Sequence, residues 1–124
     1  MVDFQDMFKD LLELESPMDK YEWIIDYGGG GVGLSDSHKI EANLVKGCTS
    51  PLWVVKTNDR LCCDADSYIV KGMAGIICDW YNQASQEQRE EFSLSILNSV
   101  GLAPLLSMGR QNGVANLIAK IKTL

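Results

Sequence analysis

The sequence predicts an α+β chain: a small antiparallel sheet of about three strands packed on helices from both ends. Three observations point there. Apolar residues recur at helical spacing near both termini, residues 52–64 switch to β-branched and aromatic types, and residues 69–81 are apolar on nearly every side of a helix. A length of 124 residues suits one core and not two, so residues 1–124 are expected to form a single domain.

Phe4, Met7, Phe8, Leu11 and Leu12 share one face of a first amphipathic helix. Ser16 is suited to cap a second, with Pro17 at its first position and Asp19 in its first turn. Tyr21, Ile24, Ile25 and Tyr27 should face inward there, and Gly28 should end it. Asn43 to Lys46 is expected as a strand, followed by Leu52 to Thr57, a two-residue turn at Asn58-Asp59, and a return over Arg60 to Asp64. A central helix follows from Ile69. Ser85-Gln86-Glu87-Gln88 is a capping box opening a helix that carries Phe92, Ile96, Leu97 and Val100 and stops at Gly101. Val114, Leu117, Ile118 and Ile121 mark the last helix.

The formal charge of −6, from 17 acidic against 11 basic residues, leaves no basic face to displace counterions from phosphates, so nucleic acid is not an expected partner. No apolar run approaches a membrane span, and acids interrupt the apolar positions of the amino terminus. A cytoplasmic protein is expected. In that compartment the four cysteines, at 48, 62, 63 and 78, stay reduced. Their spacing, beside a single histidine, matches no common zinc framework, and no metal is expected.

Gly28, Gly30 and Gly33 satisfy G-x-G-x-x-G, but a helix precedes them where a dinucleotide site needs a strand, so the cluster reads as a loop. His38, in the polar stretch Ser35-Asp36-Ser37-His38, reads first as a solvated histidine and second as a base for Cys48. Cys62 and Cys63 alternate across a strand, and Cys78 falls on the central helix as a small core residue. Cys48 differs. Gly47 before it frees the backbone, and Pro51 after it restricts Ser50, which places the thiol in a loop between strands.

The stretch Val45-Lys46-Gly47-Cys48-Thr49-Ser50-Pro51-Leu52-Trp53 resembles the signature around the active cysteine of the SufE family. Residues 19–28, 66–73 and 110–114 resemble, in order and spacing, that family's N-terminal helix, the segment entering its central helix and the arginine-containing turn before its last helix. The chain departs from the family in carrying Gly28 to Gly31 where proline and leucine are usual, and in Pro51.

The resemblance implies a SufE/IscU-like fold and a sulfur carrier. Cys48 would take persulfide sulfur from a SufS/CsdA-like cysteine desulfurase, stimulate that enzyme and deliver the sulfur to a SufBCD-like iron–sulfur cluster scaffold. The chemistry is that of thiolate exchange. No cofactor is expected on this chain, since pyridoxal phosphate belongs to the desulfurase. Lys46 and Arg110 are candidates for lowering the thiol pKa. Gly47 is a candidate hinge, Thr49 and Ser50 are candidates for supporting the loop or the partner contact, and Asp66 and Asn112 for holding the resting loop. Three other readings stand beside this one: a metal-binding scaffold using Cys48 with Cys62 or Cys63, a cysteine hydrolase using His38, and an interaction module without chemistry.

Overall fold

The computed structural model describes residues 3–29, 34–48 and 50–124. Its sheet is one hairpin. Strand β1 (Leu52–Thr57) pairs antiparallel with β2 (Arg60–Ala65), from Leu52 opposite Ala65 to Thr57 opposite Arg60. Asn58 and Asp59 form the two-residue turn, with φ of 52° and 62°. Left-handed angles at both positions match the twist of the flanking strands, and Asn and Asp tolerate them better than most side chains.

The expected third strand is absent among the described residues. Glu41–Asn43 makes a single 3-10 turn, and the chain then touches β1 through one bridge, Leu44 opposite Trp53. The Val45 N–H donates to the Leu52 carbonyl at 2.7 Å. Continuing that register would set Lys46 against Pro51, which has no N–H to offer, and Gly47 turns away at φ 82°. The ladder stops after one contact.

The central helix packs on the hairpin and on the helix before it. Helix α3 (Pro17–Gly29) and the central α4 (Tyr68–Gln83) pack closely where two glycines meet. A Cβ on Gly72 would lie 2.0 Å from the Ile24 carbonyl oxygen, and one on Gly28 would lie 2.7 Å from the Gly72 nitrogen. Gly28 is therefore a packing residue, not the expected stop, and α3 runs one residue further. Ile24 and Gly28 occupy the buried face, which leaves Ile25 exposed instead of inward. On α4, Met73, Ala74, Ile76 and Ile77 are fully enclosed, in keeping with its apolar circumference.

The first segment breaks in two, α1 (Phe4–Met7) and α2 (Lys9–Leu12), at Phe8. Phe8 and Phe4 enter an aromatic cluster with Trp80 and Phe92, whose rings lie 4.6 Å apart. The capping box forms as expected, with Ser85 and Gln88 each accepting from the other's backbone N–H. It opens a shorter helix than expected. α5 (Gln86–Glu91) ends where extended backbone at Phe92 and Ser93 turns the Phe92 ring into the core, and α6 (Leu94–Ser99) follows. Gly101, at φ 82°, lies just beyond the end of α6. Last comes α7 (Met108–Ile121), capped by Ser107, whose Oγ accepts from the Arg110 N–H. It starts early enough to place Arg110, Gln111 and Asn112 in its opening turns, not in a turn before it. Among the described residues no helix is long and apolar enough to cross a membrane.

Candidate functional site

Cys48 is half-buried against the core, in a pocket that it shares with Ser50, Val70, Gly109, Arg110 and Gly113. Each wall has a local cause. Val45, buried beside the bridge to β1, anchors the approach. Gly47 takes a left-handed angle, and a Cβ there would meet the Asn116 amide nitrogen at 2.3 Å. It is glycine for two reasons: the angle and the space. After the cysteine, the Asp66 N–H donates to the Pro51 carbonyl at 3.1 Å and ties the returning chain to the start of α4.

The sulfur itself rests on Gly113. A Cβ built on that glycine would lie 2.8 Å from Cys48 Sγ, so the bare backbone of α7 forms the seat of the thiol. The remaining volume of the pocket is about 10 Å³. That is room for about one water-sized atom and excludes a small-molecule substrate at the resting sulfur. Burial pushes the Cys48 thiol above its ordinary value. The expected lowering by Lys46 and Arg110 is therefore not a property of the resting loop. Lys46 is highly exposed, pairs with Glu41 at 3.7 Å and lines a different groove with Leu44, Asn116 and Lys120. Arg110 does line the cysteine pocket, on the first turn of α7.

Of the other residues singled out from sequence, Ser50 lines the pocket and Thr49 lies outside the described residues, as do Gly30 and Gly33. Asp66 acts through its backbone, and Asn112 is exposed on α7 beside the pocket residue Gly113. The contacts that sequence reasoning missed are Val70, Gly109, Gly113 and Asn116. One signal was available: a glycine inside a helical pattern, as at Gly113, marks a close approach.

His38 is placed elsewhere, its Nδ1 3.2 Å from Ser35 Oγ, and it does not line the cysteine pocket. Cys62, Cys63 and Cys78 line a separate cleft with Tyr27 and Asp79. Among the described residues no group of three or more His, Cys, Asp or Glu side chains is arranged to hold a metal ion. Neither the hydrolase nor the scaffold reading gains a convergent site.

Two exposed apolar residues flank the pocket along the chain. Tyr68, 76% exposed, opens α4 two residues before Val70, and Met108, 73% exposed, precedes Gly109. Behind the hairpin, Asp64 is a buried carboxylate 3.2 Å from Lys39 and 3.4 Å from Lys71, and it accepts the Leu34 N–H. Lys39 also lies over the Trp53 ring. This cluster fastens the segment before the cysteine loop to the sheet.

Comparison with known proteins finds relatives that match nearly the whole chain. The chain is 27% identical over 99% of its length to an uncharacterized SufE-like protein of Rhizobium meliloti, covering 94% of that protein. It is 24% identical over 98% of its length to a second uncharacterized SufE-like protein, from Rhizobium etli, covering 88% of it. It is also 27% identical over 92% of its length to SufE-like protein 1, chloroplastic/mitochondrial, of Arabidopsis thaliana, of which it covers 32%. The family model described as SufE, Fe-S metabolism associated domain, matches residues 5–124, and the chain belongs to that family, with a role in iron–sulfur metabolism.

Proposed function

We propose that Cys48 is a sulfur acceptor: it receives a persulfide sulfur from a cysteine desulfurase and hands it on for iron–sulfur cluster assembly. In the first step the Cys48 thiolate attacks the outer sulfur of the persulfide on the desulfurase's cysteine. That S–S bond breaks, the desulfurase's thiolate leaves, and a new S–S bond forms on Cys48. Removing the sulfur regenerates the desulfurase, so this chain stimulates it. Delivery repeats the exchange on an acceptor thiol of the cluster scaffold. The pyridoxal phosphate chemistry stays with the desulfurase, and the exchange on this chain requires a thiol alone. A reducing compartment such as the cytoplasm suits a carrier that must begin as a free thiol.

The observation that carries this reading is the seat of the sulfur. A half-buried thiol on bare helix backbone, with space for about one further atom, is a place to shelter one sulfur and not to bind a metabolite. At rest, burial keeps the thiol protonated and slow. Swinging the loop outward about Gly47 rehydrates the sulfur, lowers its pKa and produces the attacking thiolate at the moment of docking. Arg110 then serves as the nearby cation, and Tyr68 and Met108 present an apolar rim to the desulfurase.

The test is intact-protein mass spectrometry after mixing the chain with a desulfurase and cysteine. The expected result is the added mass of one sulfur, mapping to Cys48, removed by reductant and absent in Cys48→Ser. A mass unchanged under desulfurase turnover, or sulfur mapping to another cysteine, would overturn the reading.

A further inference from the structure

Helix α7 meets the segment that leads to the cysteine along one stripe. The chain from Ala42 to Cys48 runs past the helix in the opposite direction and reaches three of its residues in turn. Lys120 Nζ donates to the Ala42 carbonyl at 3.0 Å. A Cβ on Gly47 would lie 2.3 Å from Asn116 Nδ2 and 3.5 Å from Asn116 Cγ. Gly113 lies beneath the Cys48 sulfur. Positions 113, 116 and 120 are three and four apart, so they share one face of the helix, while Leu117 and Ile118 turn into the core. Gly113 seats the thiol, and Asn116 lies outside the pocket that encloses it.

We propose that Asn116 is a positioning residue for Cys48: its amide, packed on the bare side of Gly47, keeps the loop closed over Gly113 until a docking partner displaces it. What the closed loop protects follows from the sulfur-acceptor reading, on which this role rests; the contact itself stands without it. Sheet pairing ends with the Val45 N–H among the described residues, so from Gly47 onward the chain leans on α7. Gly47 has no side chain of its own there, and the amide takes the place that one would fill. Cys48 comes next. A shift of Gly47 away from α7 therefore carries the sulfur off its seat.

The contact can be reached from outside. Asn116 is exposed and forms, with Lys120, one wall of an open groove of about 520 Å³ whose other wall includes Ala42, Leu44 and Lys46. A side chain of the desulfurase entering that groove can push the amide aside without parting any core contact. Asn116 bears no charge, so its removal leaves the ionic surroundings of the thiol as they were. A change in Cys48 reactivity then reports access to the sulfur and not electrostatics.

The experiment follows iodoacetamide labelling of Cys48 by peptide mapping at neutral pH, in wild type, Asn116→Ala and Asn116→Leu. Leucine is nearly the same size as asparagine and branches at the same carbon. The expected result is labelling several-fold faster in Asn116→Ala, a rate near wild type in Asn116→Leu, and unaltered thermal melting in both. Equal rates for wild type and Asn116→Ala would overturn the proposal. So would a rate for Asn116→Leu as high as that for alanine, or a rise that a loss of global stability accounts for. A second arm loads Cys48 with sulfur from a desulfurase and cysteine, removes the desulfurase and follows the added mass under a small thiol reductant. Asn116→Ala is expected to lose the sulfur several-fold faster than wild type, and equal rates of loss would overturn the sheltering role. If wild-type Cys48 takes up no sulfur, the acceptor reading falls, and the labelling rates still decide whether Asn116 holds the loop.

Discussion

At the scale of single residues, the seat of Cys48 makes the sharpest prediction. Gly113→Ala places a methyl group 2.8 Å from the sulfur. The obstructing atom is the end of a movable side chain, so the fold should survive and the thiol should be pushed outward. Alkylation of Cys48 is then expected to speed up several-fold at neutral pH. Its pH midpoint, which burial sets above the ordinary thiol value of about 8.5, is expected to fall. An unchanged pH–rate profile for alkylation would show that Gly113 does not govern the thiol.

Asp64 answers to pH in the opposite way. Burial works against its charge, but the Ala65 N–H together with Lys39 and Lys71 outweighs that and holds the carboxyl below its ordinary value. A depressed carboxylate contributes stability that is complete above the unfolded pKa of about 3.9 and is lost as pH falls through the lower folded value. Asp64→Asn is expected to lose about 1–3 kcal/mol at neutral pH, because two partly buried ammonium groups lose their counter-ion. The difference from wild type should shrink in denaturant melts at acid pH. A constant difference down to acid pH would remove the assignment.

Among the elements, the α3–α4 contact is the least forgiving. Gly72→Ala would drive a Cβ to 2.0 Å from a backbone oxygen, which cannot rotate away as a side chain does. The helices must separate, and a loss on the order of 3 kcal/mol is expected in equilibrium unfolding, against a small effect for alanine at the exposed Gly29. The one-bridge contact before Cys48 belongs to this scale as well. A loop held by the Val45 N–H, with no ladder beyond it among the described residues, is released more easily than a paired strand, as the proposed sulfur acceptor would require.

For the molecule as a whole, the prediction concerns docking. Tyr68→Ala combined with Met108→Ala removes the apolar rim without touching the core, so thermal stability should stay close to wild type. Desulfurase stimulation is expected to fall about tenfold or more, read as a higher concentration for half-maximal turnover, in line with exposed aromatic anchors at interfaces. Stimulation that is unaltered would move the docking face elsewhere on the surface.

Much of this protein is local in origin and was therefore legible in its residues. The Asn58-Asp59 turn, the Ser85 capping box, the central apolar helix and the glycine–cysteine loop each follow from neighbours within a few positions, as does the family signature around Cys48. What misled was in each case settled by distant contacts. Residues 43–46 have strand-like composition, but the register set by Trp53 confronts them with a proline. Phe92 has helical spacing, but an aromatic cluster drawn from both ends of the chain bends the backbone there. Gly28 looks like a stop until Gly72, far along the chain, turns it into a point of contact. The same holds for the site. Sequence identifies which cysteine stands in a loop, because loop chemistry is written in adjacent residues. Only tertiary packing decided that Gly113 seats its sulfur and that Lys46 faces away, since burial and contact arise from elements the chain brings together from afar.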